Sequence, residues 1–264
     1  MHRLLQGSRT RGFGRVIAMQ RVVAAPGMST RLTLRSPFIF RTHNSQRVRQ
    51  LSEYAALKQQ RRKKRSADHL ILGLVLANCV VFVGWQKVRR FPQKANIMLD
   101  HFMTSAQHLD RGQYYTLLTS VFSHGDLGHL FANMVGLVFF GTPICALLGS
   151  KRFLLLYMSS GILSSWASVY DQKRSDRLAF NYGASGAVNS VTAMTILLNP
   201  RATLFLFGVI PLPAWVAGSL FISRDLYGWA TDRQDGVGYF AHISGALCGG
   251  AYFGYYRFVK KLIA

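Results

Sequence analysis

Acidic residues are scarce in this chain of 264 residues, which has ten Asp and Glu against 32 Lys and Arg. Only 16% of the residues are charged and 50% are hydrophobic, a composition that does not fit an ordinary soluble domain. The formal net charge of +22 would suit a nucleic-acid-binding protein, but sixteen of the basic residues lie in residues 1–65, together with a single acid, Glu53. The basic N-terminal part and the rest of the chain therefore need separate explanations.

Cysteine is also rare. The three cysteines, Cys79, Cys145 and Cys248, are an odd number, lie in apolar stretches, and show neither a CxxC motif nor the Cys/His spacing of a zinc site. The sequence thus predicts buried free thiols, with no disulfide framework and no structural metal. It implies no organic cofactor either, and no nucleic-acid partner.

The segment 1–65 has the composition of an organelle presequence. Residues 1–52 contain no acid, and Arg recurs there among Ser and Thr. We therefore predict a transit peptide followed by a disordered basic tail on the matrix side. The alternative is a basic tail without a targeting role. The longest uncharged stretch before residue 69 is short and is broken by Pro26 and Gly27, so that neither a secretory signal nor an additional apolar span is expected there.

From residue 66 onward the sequence contains long windows without Asp, Glu, Lys or Arg. Each is long enough to cross the hydrocarbon core of a bilayer as a helix. The windows are 69–86, 127–150, 153–170, 178–200, 202–223 and 237–256. The predicted fold is all-α, a polytopic membrane protein in which residues 66–264 form a bundle of six transmembrane helices in the lipid bilayer. The long connector 87–126 is expected to be interfacial or re-entrant structure.

Polar residues inside a bilayer are costly, so those within the windows are candidates for function. Four lie in the even-numbered spans: His129 and Asn133, Ser185, and His242. A serine hydroxyl needs a base to become a nucleophile, and histidine titrates in the range that suits this role. His129 and Asn133, on one helical face, can donate hydrogen bonds to an oxyanion. Because the windows contain no acid, we expect a Ser–His dyad without a third member.

Glycines flank the serine and follow the histidine. Gly183 and Gly186 lie on either side of Ser185, and Gly245 and Gly249 follow His242 in small-xxx-small spacing. This spacing allows helix backbones to pack closely in lipid. A nucleophile and its base must approach to about 3 Å, and the glycines permit that approach.

Three stretches resemble the motifs of the rhomboid intramembrane serine proteases. Residues 123–133, Ser-His-Gly-Asp-Leu-Gly-His-Leu-Phe-Ala-Asn, are similar to the family's His-x4-His-x3-Asn motif. Residues 183–186, Gly-Ala-Ser-Gly, are similar to its Gly-x-Ser-Gly nucleophile motif, and residues 241–249 to its Ala-His-x-x-Gly-x-x-x-Gly motif. The resemblance covers about residues 69–259 and is to the organellar, mitochondrial branch, that of the presenilin-associated rhomboid-like proteins.

The resemblance implies a serine-type endopeptidase that hydrolyses peptide bonds in or near the transmembrane helices of single-pass substrates. Ser185 would be the nucleophile and His242 its general base. The other implied site residues would stabilise the oxyanion, shape the nucleophile motif or lie at a water-filled mouth; they are His129, Asn133, Gly183 and His124. Many bacterial members have a Tyr stacked on the catalytic histidine where this chain has Asn189, which leaves open how the His242 ring is held; a hydrogen bond from Asn189 could substitute.

The apolar windows predict a multi-pass protein, and the basic N-terminus together with the resemblance to the mitochondrial branch implies the mitochondrial inner membrane. A plastid membrane is the alternative, because both organelles use presequences of this composition. Three other functions compete with proteolysis. They are a catalytically silent rhomboid-like scaffold that binds transmembrane segments, a haem-binding electron carrier with His129 and His242 as axial ligands, and a small transporter.

Overall fold

The computed structural model describes residues 38–89, 91–175, 179–206, 208–233 and 235–263. The expected presequence lies, up to residue 37, outside the described residues. The chain divides into two compact units, Met1–Gln50 and Leu51–Ala264. The described residues of the first unit are helical, and the second unit contains the candidate site.

Ten α-helices and one two-stranded hairpin make up the described part of the chain. The first four helices are α1 (Phe38–Val88), α2 (Pro92–Phe102), α3 (Ala106–Asp110) and α4 (Thr116–Thr119), followed by a 3-10 turn at Ser120–Phe122. Next come α5 (Leu127–Gly136), a π-helical turn (Leu137–Gly141) and α6 (Thr142–Leu148). The remaining elements are α7 (Ser150–Arg174), α8 (Ser185–Leu198), β1 (Thr203–Leu206), β2 (Ile210–Pro213), α9 (Ala214–Ala230) and α10 (Tyr239–Ile263).

Three helical stretches are long and apolar enough to cross a membrane, namely Ser45–Val88 within α1, Leu127–Leu148, and α7. α8 is a shorter apolar helix. The chain is thus an all-α polytopic membrane protein, to which the structure adds one short hairpin. In the predicted bundle of six, α8, α9 and α10 would be the other three spans. The count of six stays a prediction.

The basic segment contains helix where the sequence suggested disorder. α1 begins at Phe38 and continues through residues 61–65, and the side chains of residues 45–66 are exposed. Residues 51–65 are mainly Leu, Ala, Lys, Gln and Arg, which are strong helix formers, and include no Gly or Pro. Local propensity therefore extends the first helix well before the apolar window. The domain boundary at residue 65 remains a proposal.

The fifth window is where the structure departs most from the predicted spans. We expected one helix over 202–223, but the first part of this window forms β1 and β2, which pair antiparallel. Pro211 and Pro213 explain the difference, because proline in a helix interior removes a hydrogen bond and clashes with the preceding turn. α9 therefore starts only at Ala214 and includes Asp225.

Glycine lets α8 and α10 pack backbone to backbone. A Cβ on Gly245 would collide with the carbonyl group of Gly186, and one on Gly249 would collide with that of Ser190. Each pair is offset by four residues from the next, the spacing that favours close helix packing in lipid. α7 packs against both helices. The candidate nucleophile and base, near the starts of α8 and α10, are thereby carried at the same end of the pair.

The connector 87–126 is folded onto the rest of the second unit. Thr104 forms an antiparallel backbone bridge with Asn181, which lies in the segment before α8. The carbonyl oxygen of Ser120 accepts a hydrogen bond of 2.9 Å from the N–H of Gly183. The connector therefore fixes the chain that leads into the nucleophile motif.

The three cysteines are free thiols, but only one of them is buried as the sequence predicted. Cys145 is buried, whereas Cys79 and Cys248 are half-buried.

Candidate active site

A cavity of about 830 Å³ lies among α5, α7, α8, α9 and α10. Its lining includes the four polar residues expected inside the spans, His129, Asn133, Ser185 and His242, and also Gly183. These residues come from α5, from α8 with the turn before it, and from α10. The structure thus gathers, in one cavity, side chains that lie far apart in the sequence.

Ser185 is the first residue of α8. The turn before it contains Gly183, whose φ of +125° is a conformation that favours glycine. The start of a helix leaves backbone N–H groups without intrahelical partners and carries a partial positive charge. The serine hydroxyl therefore lies beside backbone donors that suit a developing oxyanion.

His129 packs directly on this turn. A Cβ on Gly183 would lie 2.8 Å from Cε1 and 3.0 Å from Nε2 of His129, and 3.8 Å from Oγ of Ser185. The imidazole thus fills the space that a side chain at position 183 would need. Asp126 caps α5 by accepting a hydrogen bond of 2.8 Å from the N–H of His129, which fixes the start of this helix.

Asn133 lies one turn further along α5 and is 6% exposed. Its Nδ2 donates a hydrogen bond of 2.9 Å to the carbonyl oxygen of His129. An amide nitrogen carries two hydrogens, so this bond leaves Asn133 one more N–H for a ligand in the cavity.

His242 has a carboxylate partner that the sequence did not predict. Its Nδ1 lies 3.2 Å from Oδ2 of Asp225, and the two side chains are 16% and 7% exposed. The expectation of a site without an acid is therefore wrong. It assumed a fifth span over 202–223, which left Asp225 in a connector. The sequence did contain a signal for this acid. Asp225 lies only two residues beyond the window 202–223, and the two prolines in that window disfavour one continuous helix over it.

Arg224 balances the charge of this buried acid. Its Nη1 lies 3.0 Å from Oδ1 of Asp225, and its guanidinium carbon lies 5.4 Å from the centre of the Tyr239 ring. The Tyr239 hydroxyl in turn donates a hydrogen bond of 2.6 Å to Asp235. An unpaired buried carboxylate would be strongly destabilising, so this pairing explains how α9 tolerates the acid.

Asn189 lines the cavity but does not hold the imidazole. Among the described residues, the His242 side chain has one ion-pair contact, to Asp225. Among these residues, a hydrogen bond from Asn189 does not take the place of the tyrosine. Within the same residues, no hydrogen bond joins the hydroxyl of Ser185 to His242.

His124 lies behind His129 rather than at a water-filled mouth. It is 1% exposed, and its ring meets that of His129 edge-on, with 4.9 Å between ring centres. Neither ring nitrogen of His124 has a hydrogen-bond partner among the described residues. Burial, followed by the neighbouring His129, lowers the pKa of His124 to about 4. The ring is therefore neutral near neutral pH.

Comparison with known proteins agrees with this arrangement. A family model described as Rhomboid domain matches residues 111–259. RHOMBOID-like protein 12, mitochondrial, of Arabidopsis thaliana is 38% identical over 195 residues, which cover 67% of this chain and 55% of that protein. Rhomboid protein 1, mitochondrial, of Saccharomyces cerevisiae is 35% identical over 196 residues, with 72% and 54% covered. Presenilin-associated rhomboid-like protein A, mitochondrial, of Danio rerio is 31% identical over 187 residues, with 70% and 47% covered.

The fold and the cavity define a polytopic membrane protein that carries a serine and a histidine on two closely packed helices. The chain belongs to the rhomboid family, in its organellar branch. It is a mitochondrial multi-pass membrane protein. It spans about half the length of the curated relatives it matches.

Proposed function

We propose that this protein is an intramembrane serine protease that hydrolyses peptide bonds in or near the transmembrane helices of single-pass substrates. The observation that carries the proposal is the single cavity shared by Ser185, His242 and His129, on or beside helices that glycine contacts hold together. Membership of the rhomboid family supports the same function.

In this reaction the hydroxyl of Ser185 attacks the scissile carbonyl carbon while His242 accepts its proton. His242 then donates that proton to the leaving amine, and an acyl-enzyme remains. Water, activated by the same imidazole, hydrolyses the acyl-enzyme. The hydrogen bond between serine and base is often long in a site without substrate and shortens when substrate is bound.

The oxyanion of the tetrahedral intermediate needs donors placed in advance. The backbone N–H of Ser185, at the start of α8, is one donor. The remaining amide hydrogen of Asn133 and the ring of His129 are the others. Such donors act more strongly where bulk water is excluded.

A transmembrane substrate must unwind near the cut, because a helix engages its carbonyl groups in i to i−4 hydrogen bonds. Substrates with helix-weakening Gly or Pro and small residues at the cut are therefore favoured. The cavity walls include the apolar Val188 and Phe221 besides the polar groups, which suits a peptide segment arriving from lipid.

We assign the protein to the mitochondrial inner membrane, with its basic N-terminus on the matrix side and the cavity toward the intermembrane space. Protease protection of tagged termini in isolated mitochondria tests this orientation. Targeting of the tagged chain to plastids would favour the alternative location.

Cleavage of a transmembrane reporter by the purified full chain in detergent tests the function, with Ser185→Ala as the control. We expect cleavage and labelling by a fluorophosphonate probe in the wild type, and neither in Ser185→Ala. Labelling should also be lost in His242→Ala. Full activity of Ser185→Ala would refute the assignment of the nucleophile. A wild-type chain that binds the reporter without cutting it, and resists labelling, would be a silent scaffold, and a Soret band would indicate the haem carrier.

A further inference from the structure

We propose that Asp225 is a positioning residue that orients His242, so that the site works as a Ser185–His242–Asp225 triad rather than as a dyad. The proposal rests on the protease function argued above. Asp225 acts through the imidazole and not on the substrate.

The contact occupies the ring nitrogen that the proposed reaction does not use. Asp225 Oδ2 lies 3.2 Å from Nδ1 of His242. An ionised carboxylate accepts hydrogen bonds and cannot donate them, so the proposed role requires Nδ1 to carry the hydrogen. In a neutral imidazole Nε2 is then the free acceptor, available for the proton of Ser185. Without the carboxylate the ring has two tautomers, and one of them has no acceptor at Nε2.

Both carboxylate oxygens of Asp225 are engaged, which fixes its orientation. Oδ2 faces His242, and Oδ1 lies 3.0 Å from Nη1 of Arg224. The Asp225 side chain is 7% exposed and that of Arg224 is 54% exposed, so the carboxylate is shielded while its counter-ion reaches the surface. The Arg224 guanidinium also lies over the ring of Tyr239 on α10. The acid is therefore anchored to both helices.

A glycine allows α9 and α10 to approach at this level. A Cβ on Gly228 would collide with the ring of Tyr239. Gly228 follows Asp225 by three residues, and Tyr239 precedes His242 by three, so that each helix uses one face for both contacts. The close approach at Gly228 and the ion pair are thus parts of the same interface.

Other ionisable groups lie farther from the His242 imidazole than Asp225 does. Those lining the cavity come from the elements packed around it: Asp126 and His129 on and before α5, Asp171 on α7, Tyr182 before α8, Arg224 on α9, Asp232, Arg233 and Asp235 between α9 and α10, and Tyr239 on α10. Asp225 is the charged group in direct contact with the His242 ring. Its removal should therefore change the orientation of this ring more than removal of any other acid in the group.

The test is Asp225→Asn in the full chain, assayed on the transmembrane reporter over a range of pH. We expect kcat to fall by about 10²-fold or more with little change in KM, because an amide can present its NH₂ group to Nδ1 and select the wrong tautomer. The pH dependence of kcat/KM should differ between the two proteins, because the charge beside the proposed base is lost. Asp225→Glu should restore part of the rate.

Asp110→Asn is the matched control. Asp110 forms an ion pair of 2.6 Å with Lys173, in which both side chains are more than half exposed. Exposed pairs contribute little, so this variant should keep the wild-type rate and pH profile. A purely structural role for Asp225 would lower the amount of folded protein without moving the pH profile of the molecules that remain folded.

Nitrogen-15 NMR of histidine-labelled Ser185→Ala protein gives a readout that does not require cleavage. For the neutral ring, we expect the hydrogen of His242 to be on Nδ1 and Nε2 to be free, and we expect Asp225→Asn to lose this preference. The proposal would be overturned if Asp225→Asn kept the wild-type rate and pH profile. It would also be overturned if the neutral His242 ring carried its hydrogen on Nε2 in the protein that retains Asp225. A wild type that cuts no reporter would refute the protease function, while the NMR measurement would still decide the role of Asp225.

Discussion

Gly245 on α10 packs against the carbonyl group of Gly186 on α8, with no room for a side chain between them. Gly186 follows Ser185 directly, and Gly245 follows His242 by three residues. The separation of the proposed nucleophile and base therefore depends on a residue that has no Cβ. Helix packing and the proposed chemistry are coupled at this contact.

Gly245→Ala should force α8 and α10 apart, destabilising the fold by about 1–3 kcal/mol and lowering reporter cleavage. Gly254→Ala is the control, since a Cβ there meets no atom within 4 Å. Thermal unfolding in detergent and the cleavage assay should separate the two variants. Equal unfolding temperatures would contradict the importance of this contact.

Gly183→Ala should impair the site for two reasons. The residue has a φ of +125°, and an added Cβ would lie 2.8 Å from His129. Backbone strain of this kind costs about 1–3 kcal/mol. Gly112→Ala separates the two causes, because Gly112 has a φ of +78° and open space around it. We expect both variants to lose stability but only Gly183→Ala to lose kcat, and a similar kcat loss in both would argue against a role for the His129 contact.

Asn133→Ala should lower kcat by about 10²-fold or less, because other donors to the oxyanion remain. KM should change little, since the interaction strengthens mainly in the transition state. Steady-state kinetics on the reporter measure both constants. Asn199→Ala, at the other end of α8, should leave kcat unchanged; a loss of the same size there would point to a general effect on folding.

His124 should make stability depend on pH. Its pKa is lowered from 6.5 to about 4 in the folded protein, so between these values the unfolded chain binds more protons. The contribution of the neutral ring is therefore present above about pH 6.5 and is lost as the pH falls toward about 4. His124→Gln should flatten the fall in unfolding temperature between pH 7 and pH 5. An unchanged slope would assign the dependence to other groups.

Apolar windows predicted several helices closely because long charge-free stretches favour helix in a membrane. The window 127–150 corresponds to helix over Leu127–Leu148. The window 178–200 was less informative, because α8 begins only at Ser185 and residues 179–184 before it are not helical. Absence of charge does not distinguish a helix from an uncharged turn. In 202–223 the prolines, rather than hydropathy, decided the structure.

The candidate site, like the fold, has a part that the sequence predicts and a part that it does not. Ser185, His242 and the histidine and asparagine of α5 follow from residue type and local spacing, which a sequence contains directly. The contact between Asp225 and His242 depends on where α9 starts and on how it is rotated against α10. The hairpin and the close approach at Gly228 determine both, and neither produces a periodic signal in the sequence.

The π-helical turn at Leu137–Gly141 separates α5 from α6, so that the two halves of the second span are rotated differently about the helix axis. Before it, α5 directs His129 and Asn133 toward the cavity; after it, α6 places Ile144 in the hydrophobic core. Each residue of an α-helix turns the chain by about 100°, so the wider turn resets which face follows. Substitutions that repack the far half of this helix can therefore accumulate without rotating the polar half away from the nucleophile.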